Sequence, residues 1–332
     1  MAGGEVEHQE LTETSIDSRR DATNNRPMIP ILLALIPLLQ SAPAPFSHPH
    51  GVTMTYVPER VYDTQRKAFT DFESMLADLV RADVVLVGEQ HNDPNTHALE
   101  FAMLEGLLRR HAALAVGLEM FERDVQGAVD EYVRGTSTEE QFLAASRPWP
   151  RYATDYRPIV ELARTEHLAV IASNVPRRIA SGLWKNGMSV IDGLGNDRGL
   201  AARDLECAAG GNYYNRFIEQ MGEHPPSGEP AVNDAQAKND RLYLAQCVKD
   251  ETMAESIAEA FRNGTGSRAT IVHFNGSFHT DYGEGTAERT RRRLPGRRVA
   301  VISMIPVDDI DTVAPDEDGL RQADYLVFTT KK

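Results

Sequence analysis

Apolar and polar positions divide the chain into short unbroken apolar runs and longer stretches with helical spacing. Residues 84–87 (VVLV), 114–118 (LAVGL), 168–172 (LAVIA), 269–272 (ATIV), 298–303 (RVAVIS) and 325–328 (YLVF) are runs of the first kind. Runs rich in β-branched residues mark strands covered on both faces, as in a parallel sheet. Between them, apolar residues recur three and four positions apart. That pattern predicts helices over 70–81, from Pro94 to about residue 111, and over 124–134, 139–145, 176–185, 213–221 and 234–263, with another ending at Arg293. An aromatic-rich loop and a further helix occupy 149–168. Thr70 and Glu73 have capping-box spacing, Ser137 or Thr138 caps the helix from 139, and Asn263-Gly264 stops the longest one. Alternating strands and helices predict an α/β fold: a mostly parallel sheet flanked by helices on both faces. The glycine- and proline-rich stretch at about 187–230 reads as an irregular, partly helical insertion over that sheet.

Composition narrows the partners. Forty-nine acidic against 35 basic residues, a net charge of −14, argue against a nucleic-acid or anionic-membrane binder. The exception is 289–298, with six arginines in ten residues, read as decoration of a helix C-terminus, where the dipole favours cations. Residues 1–50 read as a disordered N-terminus holding a signal-like segment. The apolar run 28–39 follows Arg19, Arg20 and Arg26 and precedes an A-x-A site ending at Ala44. Export to the periplasm or exterior is therefore expected, with any membrane association only through that run, and residues 55–330 as one domain. Cys207 and Cys247 match no metal spacing. They form one disulfide or remain two buried thiols; sequence separation does not decide.

The chemistry sits where strands stop. After residues 84–87 come Gly88, Glu89 and His91, with Pro94 opening the next helix. The second run ends in Glu119, the third in Asn174, the fourth in Asn275, Gly276 and His279. In a parallel sheet these carboxyl ends share one crevice. Imidazole with carboxylate suits a divalent metal ion with an open position, or acid–base work without one. Candidate metal residues are His91, Glu89, Glu119 and His279; candidate catalytic residues are His91, Glu119 and His279. For Glu119 the plainer alternative is capping the next helix, and Asn174 reads first as a cap for the helix after Pro176. His97, His111, His167 and His224 read as surface or helix-end histidines. Gly-x-x-His occurs at Gly88/His91 and Gly276/His279, an ordinary count for 24 Gly and 10 His. That both follow an apolar strand is what carries weight.

VLVGEQHNDPNTH, the strand ending in LEM, DYRPIVELAR, SNVPR, AQCVKDETMAESIA and NGSFHTDYG resemble the ChaN-like haem-binding uptake proteins of the Tiki superfamily, over about 70–305. The resemblance implies an exported bacterial protein that binds haem in haem or iron uptake. It also implies a tyrosine ligand, sometimes with paired haems across a homodimer. Tyr156, Tyr213 and Tyr214 are the haem-binding candidates here, with Tyr243 behind them. No cysteine follows the apolar run at 28–39, unlike in lipoprotein relatives. Metalloprotease and esterase relatives with paired Gly-x-x-His motifs supply the rival expectation, a metal-dependent hydrolase using His91, Glu119 and His279.

Overall fold

The computed structural model describes residues 56–110, 113–221, 228, 230–264 and 269–332. The expectations for residues 1–50, His111 and His224 fall outside them. In chain order the elements are β1 (Glu59–Asp63), β2 (Ala68–Thr70), α1 (Phe72–Leu79), β3 (Val84–Glu89), α2 (Pro94–Arg110), β4 (Leu114–Glu122), α3 (Gln126–Val133) and α4 (Glu139–Ser146). There follow α5 (Tyr152–Asp155), α6 (Arg157–Thr165), β5 (Ala169–Asn174), α7 (Arg177–Asn186), α8 (Ser189–Asp192), α9 (Gly211–Met221) and α10 (Ala235–Arg262). The chain closes with β6 (Thr270–Gly276), α11 (Gly285–Arg293), β7 (Val299–Val307) and β8 (Tyr325–Thr330).

The strands form one sheet in the order β2-β1-β8-β7-β3-β6-β4-β5. Six neighbours from β8 to β5 run parallel. Alternation within β3 shows both faces in use. Val85 and Val87 pack with Met75, Leu104 and Leu107 of α1 and α2, whereas Val84 and Leu86 pack with Ile257, Phe261 and Ala287 of α10 and α11. The α/β expectation therefore holds, with one addition. β1 and β2 make an antiparallel hairpin on β8, where the proline-containing approach gave no strand signal. These strands are short and half polar, and only Val61 enters the core.

Thr70 consequently ends a strand instead of capping a helix. The cap of α1 is Asp71, whose carboxylate accepts the Ser74 N–H at 2.7 Å. The predicted Thr138 cap is present, as a full capping box with Gln141. Within 187–230 the described residues form α8, a 3-10 segment and α9, joined to α10 by a disulfide between Cys207 and Cys247. The arginine run ends α11 as expected, but it also does more. Arg289, Arg292 and Arg293 all bond Glu251, a fully buried carboxylate of α10, and so lock the two helices together.

Candidate functional site

Two adjacent parallel strands build the floor of the site. β3 and β6 pair so that Gly88 stands opposite Asn275 and Glu89 opposite Gly276. The two Gly-x-x-His turns nest into each other. A Cβ on Gly88 would fall 2.7 Å from Ser277 Cα, and one on Gly276 would fall 2.7 Å from His91 Nε2. Each glycine is thus bare because the other turn occupies the space of a side chain.

A third strand supplies Glu119 through an irregularity. Leu118 of β4 pairs with Ala172 of β5 but Glu122 pairs with Asn174, so two extra residues bulge out of β4. Ser173 Oγ donates to the Leu118 carbonyl at 2.9 Å, and Asn174 Nδ2 donates to the Glu119 carbonyl at 3.1 Å. Asn174 is therefore not the cap of α7, whose N-terminal Pro176 has no side-chain cap; it fixes the bulge. Nor does Glu119 cap a helix. Its Oε2 accepts the Gly276 N–H at 2.8 Å and its Oε1 lies 3.3 Å from His279 Nε2.

His279 stands between two acids. Its Nδ1 meets Asp250 Oδ1 at 2.6 Å, and Asp250 also accepts the Tyr213 and Thr286 hydroxyls. Burial works against a charged ring, but Glu119 and Asp250 overcome it and push His279 up to about 9. Burial likewise opposes the Glu119 carboxylate, yet His279, helped by His91 and Lys249, holds its pKa well below the usual range. At neutral pH the pair is an ion pair.

His91 forms the other half. Its Nδ1 lies 2.5 Å from Glu89 Oε1, which also accepts the Tyr156 hydroxyl at 2.7 Å. Glu89 is 1% exposed. Its charge survives burial through the hydrogen bond from His91 and the proximity of His97 and His91, which lower its pKa. His91 itself is half-exposed and meets Trp149 edge to face at 5.1 Å. Under this group, His97 is buried and not a surface residue, bonded to Glu100 and to the His91 carbonyl. Burial and the Glu89 charge raise Glu100 well above the carboxylate range. His167, by contrast, is exposed as expected, in a left-handed turn at φ 55°.

Above this floor opens a cleft of about 460 Å³ lined by Glu89, His91, Glu119 and His279. Trp149 and Phe278 wall it, Phe217 and Met221 of α9 roof it, and Arg177 and Lys249 line it as well. It adjoins a second hollow of about 540 Å³ through Trp149, Pro150 and Arg177. Among the described residues neither Arg177 nor Lys249 has an ion-pair partner.

The three tyrosines do not line this cleft. Tyr156 donates to Glu89, Tyr213 to Asp250 and Tyr214 to Asp240, and burial with the neighbouring acids raises all three phenols. Asp250, together with Gln246, whose Nε2 lies 3.1 Å from His279 Nδ1, belongs to this candidate site and was missed by sequence reasoning. The signal available was their spacing of four, polar in the middle of a long helix otherwise read for its apolar positions.

No curated protein matches the sequence. Among solved structures, one described as cofacial heme binding to ChaN of Campylobacter jejuni is similar at a TM-score of 0.59 and 16% identity, covering 82% of this chain and 97% of that one. An erythromycin esterase, EreC, in its open conformation gives a TM-score of 0.45 at 15% identity, covering 82% of this chain and 83% of that one. The first likeness establishes the fold. The sequence itself matches the family described as haem-binding uptake, Tiki superfamily, ChaN, over residues 75–290, well over half its length. With its paired glycine–histidine turns at the carboxyl edge of a parallel sheet, the chain belongs to that haem-binding uptake family.

Proposed function

We propose that this protein binds haem in the cleft above β3, β4 and β6, under the roof formed by α9. The supporting observation is the cleft's make-up: Trp149, Phe217, Met221 and Phe278 beside two cations, Arg177 and Lys249, that have no ion-pair partner among the described residues. Aromatic faces suit a flat apolar macrocycle, and cations suit its two carboxylate arms. In a chain of net charge −14, two cations lining one hollow point to an anionic occupant. Haem and the cleft thus agree in size class, aromatic lining and sign.

Of the tyrosines, Tyr213 is closest to serving as iron ligand, since its ring stacks on Phe278 at 5.4 Å. Its hydroxyl would have to leave Asp250 and lose its proton to the metal. Titrating hemin into the protein is expected to give a saturable Soret band. Tyr213→Phe should shift that band, whereas Tyr214→Phe should leave it unchanged. No saturable band refutes the proposal.

The disulfide supports export, because such bonds persist in oxidising compartments. Fusing residues 28–50 to a reporter active only outside the cytoplasm tests this, and silence of the fusion counts against it. A homodimer and delivery of haem for iron uptake remain part of the proposal through the family. Sedimentation with and without hemin measures the first.

Hydrolysis stands second. Glu119 and His279 are grouped at an open cleft, but they rest as a weakly basic carboxylate and a protonated imidazole. Neither is then a ready base. Turnover of ester or peptide panels, abolished by Glu119→Gln, would promote this reading over haem binding.

A further inference from the structure

Beneath His91, α2 brings His97 and Glu100, which do not line the cleft, up to Glu89, which does, and so gathers a second set of donors. His97 and Glu100 lie three residues apart on its first turns and both face Glu89 at the end of β3. His97 Nδ1 is 2.9 Å from Glu100 Oε2 and 3.8 Å from Glu89 Oε2. Its Nε2 is 3.1 Å from the His91 carbonyl oxygen, a contact that only a ring N–H satisfies. In the neutral ring, a proton at Nε2 leaves Nδ1 with a lone pair. One imidazole nitrogen and two carboxyl groups thus converge, and their donor atoms all lie within 4.8 Å of one another.

Lone pairs so placed repel unless something positive stands among them. The hydrogen bonding is also incomplete. Among the described residues no N–H or hydroxyl group reaches Glu89 Oε2 or Glu100 Oε1, in side chains that are 1% and 0% exposed, so that on this side the two acids have only each other's carboxyl. The opposite edges of the cluster are fully engaged. Glu89 Oε1 takes the Tyr156 hydroxyl and His91, while Asp155, held by Arg151 at 2.6 Å, lies 3.5 Å from His97 Nε2. Partners of that kind orient ligands from behind at metal centres.

We propose that Glu89, His97 and Glu100 form a buried site for a divalent transition-metal ion, separate from the group of His91, Glu119 and His279 in the cleft. Two carboxylates and one imidazole suit zinc, manganese or ferrous iron. Donors sharing one ion at about 2.1 Å stand no more than about 4.2 Å apart. The gaps of 2.9 and 3.8 Å already satisfy this, and no two of the donor atoms stand more than 4.8 Å apart. Binding displaces the proton that otherwise sits among the three groups, so one proton leaves as the ion enters.

The test uses haem-free full-length protein, stripped with a chelator and dialysed against Mn²⁺ alone, with manganese per chain as readout. One ion per chain is expected. Glu100→Gln keeps the shape but removes a charged ligand, and should weaken binding about a hundredfold. Glu119→Gln, altered only in the cleft, should bind as wild type. Should Glu100→Gln fail to fold, pulsed EPR on the Mn²⁺-loaded wild type decides, since this site offers one imidazole nitrogen and the cleft offers two. Absence of a stoichiometric ion overturns the proposal and leaves a shared proton as the occupant. Coupling to two imidazoles, or loss of manganese in Glu119→Gln alone, overturns it in favour of the cleft.

Discussion

Glycine at 276 is a demand made by the opposite strand. An added methyl there would press on His91 Nε2 and stand 3.7 Å from Glu119 Oε2. Gly276→Ala is therefore expected to displace the His91 ring and weaken hemin binding by about tenfold or more, or about 1.4 kcal/mol. A hemin titration with a parallel thermal melt separates this from unfolding. The residues along strand ends were legible because their position, and not their type, gave them away. His97 was not, since it opens a helix in a polar stretch and its burial depends on Tyr156 and Asp155 from a distant segment. His273 was hidden for a related reason. It lies inside β6 and bonds Asn275 and Ser173, and burial keeps it neutral by lowering its pKa to about 4.

At the level of elements, the roof of the cleft is the part most exposed to change. Cys207, four residues before α9, is bonded to Cys247 in the middle of α10, closing a loop of 40 residues. Loop-closure entropy of that length is worth about 4 kcal/mol in the chain-entropy account. Replacing both cysteines with serine should lower stability by up to that amount, measured by denaturant unfolding. It should also weaken hemin binding, because Phe217 and Met221 ride on the tethered helix. Sequence spacing left the pairing open, since the answer lies in how the insertion folds back on α10. The parallel strands and most helices were readable from periodicity. The β1–β2 hairpin was not, since its strands present one core residue, and the bulge in β4 leaves no periodic trace.

Across the whole molecule, the buried ionisable groups set a pH window. His279 has a folded pKa of about 9, above its ordinary 6.5, so its contribution is complete below about 6.5 and is lost as pH rises through 9. His273, depressed to about 4, contributes fully above 6.5 and loses that contribution as pH falls towards 4. Melting temperature should therefore peak near neutrality and fall on both sides. Calorimetry from pH 4 to 10 measures it, and His279→Gln should flatten the alkaline limb. No helix among the described residues is long and apolar enough to cross a membrane. The central pairing of β3 with β6 joins Gln90 to Ser277 across 187 residues of chain. A growing polypeptide consequently owns half a receptacle until β6 has been synthesised. Any cargo that needs both halves is held only by copies in which β6 has found β3.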